Sequence, residues 1–174
     1  MNIKKFLSVF LWMVLCICVS PVTVFATDDT VNYGFRVYDS KNNLAVEVTS
    51  DNATDVLGDD TVSYDSTTNT LTLNNAHLSS PVASTLGAYV DPAINVYGEF
   101  LNIKLIGVNT INGSRCIYAT KSLKISGSGS LEANGTTYTV CAYTGNLTID
   151  GATVYASGDG ISAQSSMMIE NGAN

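Results

Sequence analysis

The residues best suited to contacting a ligand are tyrosines on strand-like segments. The chain has nine tyrosines and one tryptophan, Trp12. Tyr97, Tyr118 and Tyr155 fall at outward positions of short alternating segments. Asn, Thr and Ser dominate the outward positions around them. An aromatic face packs against apolar C–H groups while neighbouring amides and hydroxyls exchange hydrogen bonds, which is the pairing a sugar ring offers. Tyr97 and Tyr118 belong to one class of strand and Tyr155 to another. Lys104, Asp150 and Glu170 share a second outward column with Ser126. The two carboxylates there can accept sugar hydroxyls or approach a cation. Calcium is the one cation the chemistry suits, but it wants six to eight oxygens. No cofactor is expected on this basis.

Other chemistry has little to work with. His77 is the only histidine and reads as a surface or corner residue. There is no G-x-S-x-G nucleophile signature and no glycine-rich phosphate loop opening a helix. A polysaccharide lyase or hydrolase needs an arginine base or paired carboxylates. The two arginines are Arg36 and Arg115, and no three-Asp cluster accompanies Arg115 along the chain. A binding protein is therefore expected rather than an enzyme. The enzyme and a purely structural spacer are the alternatives.

The segments that carry these residues repeat. Leu101-Asn102-Ile103, Leu123-Lys124-Ile125, Leu147-Thr148-Ile149 and Met167-Met168-Ile169 recur every 20 to 24 residues. Each follows another short segment: Ile94-Asn95-Val96, Ile117-Tyr118-Ala119, Cys141-Ala142-Tyr143 or Ile161-Ser162-Ala163. Leu131-Glu132-Ala133 and Val154-Tyr155-Ala156 add a third. Gly-rich corners such as Ser126-Gly127-Ser128-Gly129 separate them. Short strands joined by tight corners bury alternate side chains together only when coiled, with equivalent strands of successive turns paired in parallel. The expected fold is all-β, a right-handed parallel β-helix with three short strands per rung and an irregular N-terminal β cap.

The alignment sends Leu123, Ile125, Leu147 and Ile149 inward, and Lys124, Thr148 and Asp150 outward. It places Cys141 inward beside Ile117 and Ile161, and Cys116 outward. Thiols on opposite faces cannot meet disulfide geometry, so both are expected free.

Residues 1–26 have the pattern of a secretory signal peptide. Lys4 and Lys5 precede the apolar run Phe6 to Val19, and Val24-Phe25-Ala26 supplies the cleavage positions. Its removal takes away Trp12, Cys16 and Cys18, and leaves no membrane span. Residues 27–92 read as cap and lead-in strands, and 93–174 as rungs. Within the cap, Ala53 to Leu57 suits a short helical turn after Asn52, and Leu78 to Asp91 a loop. The net charge of -7 and pI near 4.4 argue against a nucleic-acid partner, which demands a basic face. A secreted or cell-surface location follows, with a polysaccharide or cell-surface glycan as partner. Ile161, Met167 and Ile169 have no following rung, so the chain reads as part of a longer surface protein able to self-associate through its open C-terminal end.

Asp55-Val56-Leu57-Gly58, Thr61-Val62-Ser63-Tyr64-Asp65 and Asn69-Thr70-Leu71-Thr72-Leu73-Asn74-Asn75-Ala76 resemble the lead-in of exported β-helix proteins of anaerobic Gram-positive bacteria. Ser122-Leu123-Lys124-Ile125-Ser126-Gly127-Ser128-Gly129-Ser130-Leu131 and Asn146-Leu147-Thr148-Ile149-Asp150-Gly151-Ala152 are similar to their rungs. The resemblance spans about residues 52–174. It implies a carbohydrate-binding, adhesin-like surface role. Some relatives carry calcium sites on acidic clusters, but no ligand of those clusters matches a residue of this sequence.

Overall fold

A computed structural model describes residues 29–81 and 90–174. The signal-like segment, with Cys16 and Cys18, lies outside the described residues.

Sixteen strands run along the described chain. The first three are β1 (Asn32–Asp39), β2 (Leu44–Thr49) and β3 (Val62–Asp65). Then come β4 (Thr70–Asn74), β5 (His77–Ser79), β6 (Ile94–Val96), β7 (Phe100–Ile106), β8 (Val108–Asn112) and β9 (Ile117–Ala119). The remainder are β10 (Ser122–Gly127), β11 (Ser130–Asn134), β12 (Val140–Ala142), β13 (Asn146–Asp150), β14 (Thr153–Ser157), β15 (Ile161–Ala163) and β16 (Ser166–Glu170).

From β4 onward the chain visits three sheets in rotation, which defines a β-solenoid. Sheet A has the order β15-β12-β9-β6-β1-β2, sheet B β16-β13-β10-β7-β4-β3, and sheet C β14-β11-β8-β5. Rung-to-rung pairing is parallel and in register: Leu101, Leu123, Leu147 and Met167 align, as do Ile103, Ile125, Ile149 and Ile169. Only the N-terminal strands pair antiparallel, β1 with β2 and β6, and β3 with β4. They close the first rung, because Phe35, Val37, Val48, Val56 and Val62 join the core that holds Leu71, Leu73 and Leu78. Among the described residues no helix is long and apolar enough to cross a membrane.

Four details differ from the sequence reading. The third strand is present in two further rungs, as β5 and β8, so Leu78 is not in a loop: it is buried and pairs with Ile111. Residues 82–89 of the expected loop lie outside the described residues. Strand β8 was hidden because its inward column, shared with Leu131 and Val154, is filled by an asparagine. Asn109 is fully buried, which is tolerable because every arm of its amide is paired. Its Oδ1 accepts from Ala76 N at 2.9 Å, and its Nδ2 donates to Ile106 O and Ser130 O, each at 3.1 Å.

Second, residues 53–57 form turns rather than a helix. Asn52 faces back to β2, accepting from Thr49 N and donating to Glu47 O. Asp55 Oδ1 then gathers the N–H groups of Gly58, Asp59 and Asp60, which holds the bend.

Third, the register of β12 is shifted by one residue. Val140, not Cys141, stacks on Ile117, and Cys141 stands beside Tyr118. Val140-Cys141-Ala142 is apolar throughout, so alternation cannot set its phase.

Fourth, the two thiols exchange places: the β12 shift turns Cys141 outward, and Cys116, just before β9, packs into the core. Cys116 is inside the core and donates weakly to Ile111 O at 3.5 Å, whereas Cys141 is on the outer face, covered by its neighbours. Both are free, as expected.

At the last rung the inward column is uncovered: Met167 is 47% and Ile169 56% exposed, against 0% for Leu147 and 1% for Ile149. Asn174 bonds beside β14, with Val154 N donating to its carbonyl at 2.6 Å.

The corners limit side-chain size. A Cβ on Gly129 would lie 2.7 Å from Gly107 O of the neighbouring rung. Gly129→Ala is expected to destabilise the fold by about 1–3 kcal/mol. Ile149→Ala should cost about 2–5 kcal/mol, and the outward Thr148→Ala within about 0.5 kcal/mol. Urea unfolding checks all three; equal midpoints for Ile149→Ala and Thr148→Ala would contradict the facing assigned to β13.

Candidate functional site

The outer face of sheet A gathers the most aromatic surface. One outward column runs Asn95, Tyr118, Cys141, Ser162 across β6, β9, β12 and β15. The next outward position lies just beyond the strand ends. The ladder continues there, with Thr120 N donating to Val96 O at 2.8 Å, Tyr143 N to Ala119 O at 2.7 Å and Gln164 N to Ala142 O at 3.1 Å. Tyr97, Thr120, Tyr143 and Gln164 therefore form a second column.

Tyr138 enters from the corner before β12. Its backbone is left-handed, at φ 50°, an uncommon state for a bulky residue. Thr136 N and Thr137 N donate to Ser114 O, and Tyr138 N donates to Asp159 Oδ2 at 3.2 Å, which pins the turn.

Three rings meet at this point. Tyr118 and Tyr138 have centroids 5.8 Å apart at 79°, and Tyr118 and Tyr143 are also 5.8 Å apart, at 33°. Edge and tilted contacts of this kind favour the ring quadrupoles. The Arg115 guanidinium lies over the Tyr138 ring, 5.3 Å from its centroid. Burial raises the Tyr118 phenol above its usual value, and Cys141, Tyr143 and Tyr138 add to the shift while Arg115 opposes it. The phenol is neutral and can both donate and accept. Between Tyr138 and Tyr143 the small outward side chain of Cys141, with the chain at Ala142 and Ala163, leaves a shallow open hollow of about 260 Å³, rimmed by Ser162 and Gln164.

The residues named from sequence do not converge. Tyr118 lies behind the hollow, its ring packed against Tyr138 and Tyr143, the two aromatics that line it. Tyr97 shares its face, but its hydroxyl is engaged with Glu47 and, at 3.1 Å, with Asn32 of the cap hairpin. Tyr155 is 60% exposed on sheet C, in a column with Glu132, Thr110 and His77. His77 Nδ1 is 2.8 Å from Thr110 Oγ1. Lys104, Asp150 and Glu170 do share a column, on sheet B. There the Lys124 ammonium sits 2.6 Å from Asp150, and Asn171 donates to the other oxygen at 2.6 Å. The Lys124 contact, then Asn171, holds the Asp150 carboxyl below its usual value. A cation is already supplied at Asp150 by the protein itself.

Arg36 is equally occupied, facing Asp91 at 3.3 Å and Glu47 at 3.8 Å. Among the described residues no group of three or more His, Cys, Asp or Glu side chains is placed to hold a metal ion.

Tyr138, Tyr143, Cys141 and Gln164 were missed from sequence. Tyr143 and Gln164 become visible once Val140 is set against Ile117. Tyr138 sits in a turn, where no periodicity points it anywhere.

A β-solenoid with an aromatic, polar-rimmed outer face has the form of a ligand-binding module. A family model described as carbohydrate-binding domain-containing protein matches residues 40–174, and the chain belongs to that family. No curated protein and no solved structure matches the chain.

Burial pushes the Cys116 thiol up to about 11. Iodoacetamide at about pH 8 should therefore modify Cys141 first and leave Cys116 untouched until unfolding. Peptide mass mapping reads this; earlier labelling of Cys116 would contradict its place in the core.

Proposed function

We propose that this chain is an exported, non-catalytic module that binds polysaccharide or cell-surface glycan on the outer face of sheet A. The observation that carries the reading is the convergence of Tyr138 and Tyr143 on the hollow at Cys141, with Tyr118 packed against both rings. Tyrosine rings offer apolar faces to sugar C–H groups. The Ser162 hydroxyl and the Gln164 amide supply donors and acceptors for its hydroxyls. Family membership supports the ligand class. The signal-like start supports a secreted or surface location, where an adhesive role fits. The binding needs no calcium, because the contacts at the hollow are aromatic and amide or hydroxyl in kind. The sheet B column of Lys104, Asp150 and Glu170 and the sheet C residue Tyr155 stand outside this site.

A fluorescently labelled protein on a glycan array tests the reading. The wild type should bind at least one glycan, with and without chelator. Tyr118→Ala and Tyr143→Ala should each weaken binding roughly tenfold, equivalent to about 1.4 kcal/mol. Tyr155→Ala should leave it unchanged. Full binding by Tyr143→Ala, with an unaltered melting curve, would remove sheet A as the site.

A further inference from the structure

The shape of the sheet A site carries information about how much of a glycan it can hold. A strip that receives the flat face of a long polysaccharide needs aromatic rings lying side by side in one plane. The rings here do not lie that way. Tyr138 stands at 79° to Tyr118, and Tyr143 is tilted by 33°. No single plane holds the three rings, and Tyr138 and Tyr143 line the hollow without forming one flat face. The floor is the small outward side chain of Cys141 and the chain at Ala142 and Ala163, whose own side chains turn to the core. Arg115 takes up one face of Tyr138, so a second sugar cannot stack there. Toward the cap the outward column passes to the buried Asn95 and then to Arg36, which is bound to Glu47 and Asp91. In that column the aromatic surface stops at Tyr118; in the next column Thr120 separates Tyr143 from Tyr97, whose hydroxyl is tied to Glu47 and Asn32 of the cap hairpin.

The volume agrees with the ring angles. The hollow measures about 260 Å³. Sites for drug-sized ligands run from about 300 to 1,000 Å³. This one has room for a single ring and its hydroxyls. Ser162 and Gln164 stand exposed on its rim, and their side chains make no hydrogen bond among the described residues. They are free to take hydroxyl groups at the edge of a ring held between the tyrosines.

We infer that the site grips one pyranose edge-on, at a chain end or a side branch, rather than lying along the face of an extended polysaccharide. This rests on the carbohydrate-binding reading and narrows it to terminal or branching sugars. Cys141 then determines specificity: its small side chain makes the depth into which the ring enters.

The experiment uses glucose, galactose, mannose, xylose and N-acetylglucosamine with their linear homo-oligomers up to hexamers, by calorimetric titration. Microcrystalline cellulose and powdered chitin serve as extended solid faces. For any sugar that binds, the dimer and hexamer dissociation constants should agree within about threefold, and the solids should not deplete the protein from solution. Cys141→Phe should abolish binding by filling the hollow, since that side chain faces outward and lies outside the core cluster. Cys141→Leu, a smaller addition, should weaken it if the phenylalanine variant melts abnormally. Affinity rising tenfold or more from dimer to hexamer, or depletion by the solids that Tyr118→Ala removes, would overturn the edge-on site while leaving carbohydrate binding intact. So would retained or stronger binding by a normally folded Cys141→Phe, because a flat strip gains from another ring. Absence of binding to every soluble and solid probe would overturn the carbohydrate reading as well.

Discussion

Every part of this molecule depends on each rung pairing in parallel and in register with the one before it. Register fixes which side chains stack inside. The columns Leu101–Leu123–Leu147 and Ile103–Ile125–Ile149 are continuous because no residue slips between rungs. Burial of each such side chain contributes about 1.5–3 kcal/mol. A one-residue slip would turn a whole column outward, so the inner columns lock the register that creates them. Corners obey the same constraint. Gly127 turns with φ 106°, and Gly129 leaves no space for a Cβ against the rung below.

Polar groups reinforce that register rather than interrupt it. Asn109 lies in the core and ties three carbonyl or amide groups of neighbouring segments. On the outside, Asn134 donates to Asn112 at 3.1 Å and accepts from Ser157 at 3.0 Å, a ladder along sheet C. Sheet B has its own: Ser126 bonds to Asn102 at 2.9 Å, and Asn102 to Thr70 at 3.0 Å. Such contacts engage the outward polar side chains of sheets B and C with one another. Sheet A differs near β12, where tyrosines and a small thiol replace the ladder. That is why the accessible aromatic surface collects there.

The first and last described rungs show how far exposure depends on a neighbouring layer. At the N-terminal end, antiparallel hairpins supply Phe35, Val37 and Val62 to cover Leu71 and Leu73. At the last rung the same inward columns surface as Met167 and Ile169. Covered or not, the inner side chains are the same kind. Only the neighbouring layer changes their exposure, as expected when each rung contacts only the next.

The sequence by itself determined the solenoid, because a 20-to-24-residue repeat of alternating apolar residues has one compact solution. It determined the facing of β10 and β13 and placed Tyr118 outward, since those segments alternate cleanly. It left β8 unread, because a buried asparagine looks like a surface residue until its three hydrogen bonds are known. It misplaced Cys141, because Val140-Cys141-Ala142 has no alternation to give a phase, and Cys116, because that residue precedes β9 and lies outside its alternation. The site was decided by tertiary structure alone. Tyr118, Tyr138 and Tyr143 come from a strand, a left-handed turn and a strand end. Their meeting depends on the register of β12 against β9, a long-range pairing that local pattern does not encode.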